Sequence, residues 1–282
     1  MYRIEKVLNH NTVIAIATDP ETGHAEEFLV LEKGIGFGKK VSETVEFGPD
    51  AKIYGLNEST DRGSALDLVK QVPPVYLEIA NEVLQKADEI FEDETVDHSV
   101  LFPLADHLEF AAKRIKNHED ISNPLLDDIK ILFHMEYKAA ECIRPLLIDE
   151  IGVEVSDDEI GYVALHVHSA ISHDRISQSM QMAQSVRDCI SKIEEQTGHK
   201  IRIDSLSYNR MMNHIRYMVA RVQRQEPLKL SMNDFVNQNY PEAFVIAEKI
   251  CDELAESLGI DFDENEIGYL AIHIERVKAS EA

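Results

Sequence analysis

One histidine-bearing unit occurs twice in this chain. His107 and His166 lie 59 residues apart, His214 and His273 lie 59 apart, and each member of the second pair follows its counterpart by 107 residues. The surrounding sequence keeps the same offset. LADHLEFAAKRI (Leu104–Ile115) answers MMNHIRYMVARV (Met211–Val222), and DEIGYVALHVHSA (Asp158–Ala170) answers NEIGYLAIHIERV (Asn265–Val277). Between them Phe133, Tyr137, Ala140, Glu141 and Gly152 fall opposite Tyr240, Phe244, Ala247, Glu248 and Gly259 with no gap. Such self-similarity marks a duplication, so whatever one copy folds into the other must form as well.

Each copy reads as helical. Leu104, His107, Leu108, Ala111 and Ile115 recur at the spacing of one helix face, as do Met211, His214, Ile215, Met218 and Val222. Ser156 with Glu159, and Asp263 with Glu266, match a helix N-cap followed three residues later by glutamate. Gly161 and Gly268 sit in the first turns of those helices, where glycine costs about 1 kcal/mol against alanine. Paying that twice points to a close helix approach.

Residues 1–56 read differently. YRIEKVL, TVIAIAT, EEFLVL, ETVEF and a short run near KIYGL carry β-branched and aromatic residues near period two, and DPETG (Asp19–Gly23) is a plausible hairpin turn. A β module of that length has a thin core and ordinarily needs a covering partner, for which homodimerisation through a sheet is the economical answer. The polar stretch NESTDRGS (Asn57–Ser64) reads as the linker to the helical part, and ISHDRIS (Ile171–Ser177) as the start of the second copy.

The 282 residues carry a formal net charge of −24, which argues against unselective nucleic-acid binding. The charge is uneven: residues 1–57 hold 6 Lys and Arg against 9 Asp and Glu, so almost all of the excess acid lies beyond them. A polyanion would meet the N-terminal piece, through a shaped site rather than bulk charge. No apolar run approaches the roughly 18 residues of a membrane helix and the N-terminus has no signal-like segment, so the expected location is the cytoplasm. Cys142, Cys189 and Cys251 are scattered and form no CxxC, which fits reduced core thiols.

A histidine beside an apolar stripe is ordinarily a hydrogen-bonded core residue, but four in matched pairs call for more. HExxH is absent and His166 and His168 are two apart, on different sides of a helix, so a metal site is not expected. No serine- or cysteine-centred motif accompanies them, and no cofactor is implied. Phosphorylation on an imidazole nitrogen remains: neutral histidine is nucleophilic near pH 7, and the added charge would bias packing. Arg114 and Arg221 follow His107 and His214 by seven residues, on the same helix face, as candidates to neutralise such a phosphoryl group.

KGIGFGKK (Lys33–Lys40) fails as a Walker loop: three residues separate Gly34 from Gly38, and Lys40 stands where Ser or Thr is required. Between strands it would let backbone and the Phe37 ring approach a ligand, with Lys39 and Lys40 for phosphates. Asn9 and Asn11 in LNHNTV can present amides to base edges.

LNHN, GIGFGKK and the paired DH/NH and EIGYxAxHI segments, in this order, resemble the BglG/SacY family of transcriptional antiterminators over essentially the whole chain. The resemblance implies a multidomain protein, a small all-β RNA-binding domain followed by two homologous all-α helical bundles: residues 1–57, a first phosphotransferase-system regulation domain at 64–170, and a second at 171–282. It implies a non-enzymatic, sugar-responsive regulator that clamps a leader-RNA hairpin as a homodimer and prevents an overlapping terminator. Asn9, Asn11, Gly34, Phe37 and Lys39 become RNA contacts, and His107, His166, His214 and His273 phosphorylation sites. The phosphorylating partners would be a sugar permease for the first regulation domain and the phosphocarrier HPr for the second. Asp106 precedes His107 but Asn213 precedes His214, and Gly38 stands where several members carry a polar side chain. A phosphohistidine-controlled regulator acting through protein or DNA contacts is the alternative.

Overall fold

A computed structural model describes residues 2–18, 24–56, 59–60, 63–119, 121–173, 175–203 and 205–280. The DPETG turn and Asn57, Glu58, Asp61 and Arg62 of the linker lie outside them.

All five N-terminal apolar runs contribute strands: β1 (Tyr2–Val7), β2 (Thr12–Thr18), β3 (Ala25–Leu31), β4 (Thr44–Val45) and β5 (Lys52–Gly55). They form one antiparallel sheet in the order β4-β1-β2-β3-β5. Pairing of Val13 with Val30 and of Ile4 with Ala15 puts these side chains on one face, where they bury with Ile35 and Val45 beneath Tyr2, Val7, Phe28 and Phe47. Ile14, Leu29 and Tyr54 point to the other face and are buried too. Val13–Ala17 of β2 and Phe28–Leu31 of β3 are therefore apolar without a break, as strand segments covered on both sides must be. Each such Leu or Ile contributes about 1.5–3 kcal/mol relative to exposure. Ser59–Thr60 (β6) and Gly63–Ser64 (β7) pair as a two-stranded ribbon within the expected linker.

Helices follow: α1 (Ala65–Gln71), α2 (Pro74–Ile90), α3 (Leu101–Lys116), α4 (Leu126–Leu132), α5 (His134–Ala140), α6 (Ile143–Ile151) and α7 (Asp157–Ser172), then α8 (Ile176–Thr197), α9 (Leu206–Arg224), α10 (Asn233–Asn239), α11 (Pro241–Leu258) and α12 (Asn265–Ser280). The second face of the sheet is covered by α2 and α3 of the same chain. Tyr54 donates its hydroxyl hydrogen to Asn81 Oδ1 at 2.6 Å and meets the Phe102 ring edge-on. Part of the cover that the thin β core demands is thus intramolecular.

The 107-residue offset maps α4 onto α10 end to end, and α2, α3 and α7 onto α8, α9 and α12. Gly152 and Gly259, offset partners, both end their helices at positive φ (72° and 65°), where a side chain would be strained. α11 departs from this correspondence, being continuous where α5 and α6 are separate. Pro145 stands opposite Asp252. Its ring lacks the N–H and clashes with the carbonyl of Glu141, four residues back, so the first copy cannot run one helix through this point.

The chain divides into two compact units, residues 1–122 with 135–174, and residues 123–134 with 175–282. In the second, α11 packs against α8 and α12, α9 against α12, and α10 against α11 and α12. α4 joins this unit although it belongs to the first copy in sequence. It lies against α8 and α9, burying Ile129 and Leu132. Tyr208, fully buried, donates its hydroxyl hydrogen to the buried Asp128 carboxylate, and Arg187 lies 4.0 Å from it. Burial raises the Asp128 pKa, against the pull of Tyr208 and Arg187. Among the described residues no helix is long and apolar enough to cross a membrane.

Candidate nucleic-acid interface and histidine centres

The sheet brings the two asparagines and the glycine loop together. Asn11 Oδ1 accepts the Gly34 N–H at 2.9 Å and the Asn11 carbonyl accepts the Glu32 N–H at 2.9 Å, so this residue shapes the loop. Asn9 Oδ1 accepts the Asn11 N–H at 2.8 Å, while Asn9 Nδ2 donates to Glu78 of α2 at 2.6 Å. Phe37 is 70% exposed and stands edge-on to the His10 ring, centroids 5.5 Å apart. Lys39 is exposed beside it. Gly34 and Gly38 have φ of 79° and 69°. An exposed aromatic ring, an amide pair and a lysine on one edge can stack a base, bond its edge and attract phosphate.

Gly36 escaped the sequence reading. The loop folds so closely on the β1–β2 turn that its N–H meets the His10 carbonyl at 2.9 Å, and a Cβ there would lie 2.1 Å from the Asn9 carbonyl oxygen. Its place at the centre of GIGFG was the available signal.

The histidines meet in pairs, one pair per unit. The His107 and His166 rings, from α3 and α7, lie 5.0 Å apart between centroids. Those of His214 and His273, from α9 and α12, lie 4.9 Å apart. Tyr162 and Tyr269 flank them equivalently, each 6.3 Å from the α3 or α9 histidine.

Beside each pair sits a carboxylate that sequence alone assigned to helix capping. Glu159 Oε2 lies 3.5 Å from His107 Nε2, and Glu266 Oε2 lies 3.7 Å from His214 Nε2, neither with hydrogen-bond geometry. Both glutamates are buried (3% and 2% exposed). Each binds the arginine expected to serve a phosphoryl group. Arg114 donates from Nη2 to Glu159, and Arg221 donates from Nε and Nη2 to the two oxygens of Glu266 at 2.6 and 2.7 Å. In the first unit Ser156 caps the Glu159 amide as expected, but the glutamate side chain turns to the arginine. The overlooked signal lay in the repeat: Glu159 and Glu266 precede His166 and His273 by seven residues, two helical turns, at the common offset.

Burial pushes the His214 imidazole down to about 3, helped by the charges of His273 and Arg221. Burial, then Arg276 and Arg210, also lowers His273. This pair is neutral at pH 7, the form with a nucleophilic lone pair. In the second unit the N-terminus of α10 closes on α12: Gly268 donates its N–H to Asn233 Oδ1 at 3.0 Å, and a Cβ on Gly268 would lie 2.6 Å from that atom. This is the close approach its sequence position implied. Among the described residues no cluster of three potential metal ligands forms. Burial raises the three thiols, to about 11 for Cys142 and about 12 for Cys189 and Cys251.

Comparison with known proteins gives each part a counterpart. Residues 2–62 match the CAT RNA-binding domain, and residues 77–170 and 187–277 each match the PRD domain. The GlcA/glcB genes antiterminator of Staphylococcus carnosus is 30% identical over 97% of this chain and 94% of its own. Protein GlcT of Staphylococcus saprophyticus is 32% identical over 97% and 96%, and the beta-glucoside operon antiterminator of Dickeya chrysanthemi 26% over 98% and 97%. A crystal structure of GlcT CAT-PRDI covers 60% of this chain and 98% of its own, at 28% identity and a TM-score of 0.49.

Proposed function

The chain belongs to the BglG/SacY family of transcriptional antiterminators, a CAT RNA-binding domain joined to two PRD domains, and from that premise we propose that it binds a leader-RNA hairpin as a homodimer and is switched by histidine phosphorylation. In this reading residues 1–57 form the RNA-binding domain, and residues 64–170 and 171–282 the two regulation domains. Asn9 and Asn11 meet base edges, Phe37 stacks, Lys39 takes phosphate and Gly34 lets the backbone approach. Holding the hairpin prevents the overlapping terminator, and polymerase reads through. A sugar permease of the phosphotransferase system phosphorylates His107 and His166 when its sugar is absent, and HPr acts on His214 and His273.

One observation carries the switching half of this proposal: two centres, in separate units, place a histidine pair beside the same buried glutamate–arginine pair. A phosphoryl group brings about −1.5 to −2 charge. On the Nε2 of His107 or His214 it would stand against a buried carboxylate, and the guanidinium on that carboxylate is the one it would draw on. Arginine must divide itself between phosphate and glutamate, which loosens the tie between α3 and α7, or α9 and α12. Modification thereby becomes a change in helix packing.

The test is read-through at the leader terminator together with binding of its hairpin. Asn9→Ala and Phe37→Ala should each weaken binding at least 10-fold. Replacing His107 and His166 by Asp should lower read-through, and by Ala should make it independent of sugar. A folded full-length protein that ignores the hairpin would overturn the proposal.

A further inference from the structure

Helix α2 lies within the first PRD match from residue 77 onward, Glu78 included, yet it reaches the RNA-binding domain at the residue proposed to read a base. Glu78 Oε1 accepts from Asn9 Nδ2 at 2.6 Å and from the Thr12 hydroxyl at 2.9 Å. Thr12 is fully buried and Glu78 half-buried, so the carboxylate is docked rather than waving in solvent. One turn later on the same helix Asn81 takes the Tyr54 hydroxyl at 2.6 Å, which fixes α2 in register on the sheet.

We propose that Glu78 is an intramolecular competitor for the RNA site, lowering affinity by holding the Asn9 amide; this rests on the reading of Asn9 as an RNA contact. An asparagine recognises a base edge best through oxygen and nitrogen together. Here Asn9 Oδ1 is already bonded to the Asn11 N–H and Nδ2 to Glu78. The first bond is part of the turn, so the one an incoming base displaces is that to Glu78. The carboxylate also sets a negative charge where a polyanion must approach, whereas Phe37 and Lys39 stay exposed. Competition is therefore confined to the asparagine end of the interface.

The contact also links the two functions within one unit. α2 packs on α3, which carries His107, and on α7, which carries His166. Movement of α2 that frees Asn9 is felt by the helices bearing the first histidine pair, and displacement of those helices moves Glu78. RNA and regulatory state then share one helix position.

The experiment measures affinity of the full-length protein for the leader hairpin upstream of its neighbouring sugar-transport genes, for wild type, Glu78→Ala, Glu78→Gln, Asn9→Ala and the double variant Glu78→Ala/Asn9→Ala. Losing one competing hydrogen bond should tighten binding about 2- to 10-fold in Glu78→Ala, and less in Glu78→Gln, which keeps the acceptor but not the charge. The gain should vanish in the double variant. Glu78→Gln is isosteric and serves alone if Glu78→Ala does not fold. Weaker or unchanged binding in both Glu78 variants, with Asn9→Ala still defective, overturns the competition and makes Glu78 an orienting group for Asn9. Unchanged binding in Asn9→Ala overturns the reading beneath it as well.

Discussion

At the scale of residues the histidine centres are charge-balanced before any modification. The bidentate pair of Arg221 and Glu266 is buried on its acidic side, so removing the arginine strands a carboxylate. Arg221→Ala should cost about 3–5 kcal/mol in denaturant unfolding, while replacing both partners by apolar residues of similar size should cost far less. His214 gives a pH signature. Its folded pKa is about 3 against an ordinary 6.5, so the unfolded chain takes up a proton that the fold refuses. The stability involved is intact above pH 6.5 and is lost as pH falls from there towards 3. Imidazole resonances followed by NMR should show His214 still neutral at pH 5. Full protonation at that pH would mean that the centre is open to water. The glutamates were hidden from sequence reading because their arginines lie 45 residues away and because an N3 glutamate already has a local explanation.

At the scale of elements, most of the fold was legible because period and offset are local or repeated. The five strands follow their β-branched and aromatic runs, and α3, α7, α9 and α12 follow the histidine-bearing segments. What failed to appear were packing choices made across the chain: that α2 and α3 cover the sheet, that Pro145 splits a helix its counterpart keeps whole, and that the β1–β2 turn sits on Gly36. The last makes a sharp prediction. Gly36→Ala must push a methyl into the Asn9 carbonyl, so the loop moves and Asn9 and Phe37 lose their common edge. Hairpin binding should fall at least 10-fold, with about 1–3 kcal/mol of lost stability. Gly38→Ala, with open space around its Cβ, should be milder and reflect only its positive φ. Equal effects of the two substitutions would contradict the steric account.

At the scale of the whole molecule the duplication is exact in its 107-residue offset and inexact in assembly. α4 and α10 are counterparts of equal length, but α10 stays with its own copy while α4 sits on α8 and α9. Asp128 anchors it through Tyr208. Tyr208→Phe should leave that carboxylate short of a donor and destabilise the second unit by about 1–3 kcal/mol, read as a lower midpoint in thermal unfolding. An unchanged midpoint would mean that α4 is held by its apolar side chains alone. Seating one copy's helix on the other has a genetic consequence. α8 and α9 are the offset counterparts of α2 and α3, so a single-copy ancestor already carried the seat, and α4 came to use its twin only after the gene segment doubled. Excision of the first copy would strip α8 and α9 of the cover that Ile129 and Leu132 give them, so the two halves are free to vary in sequence only while that seat stays matched.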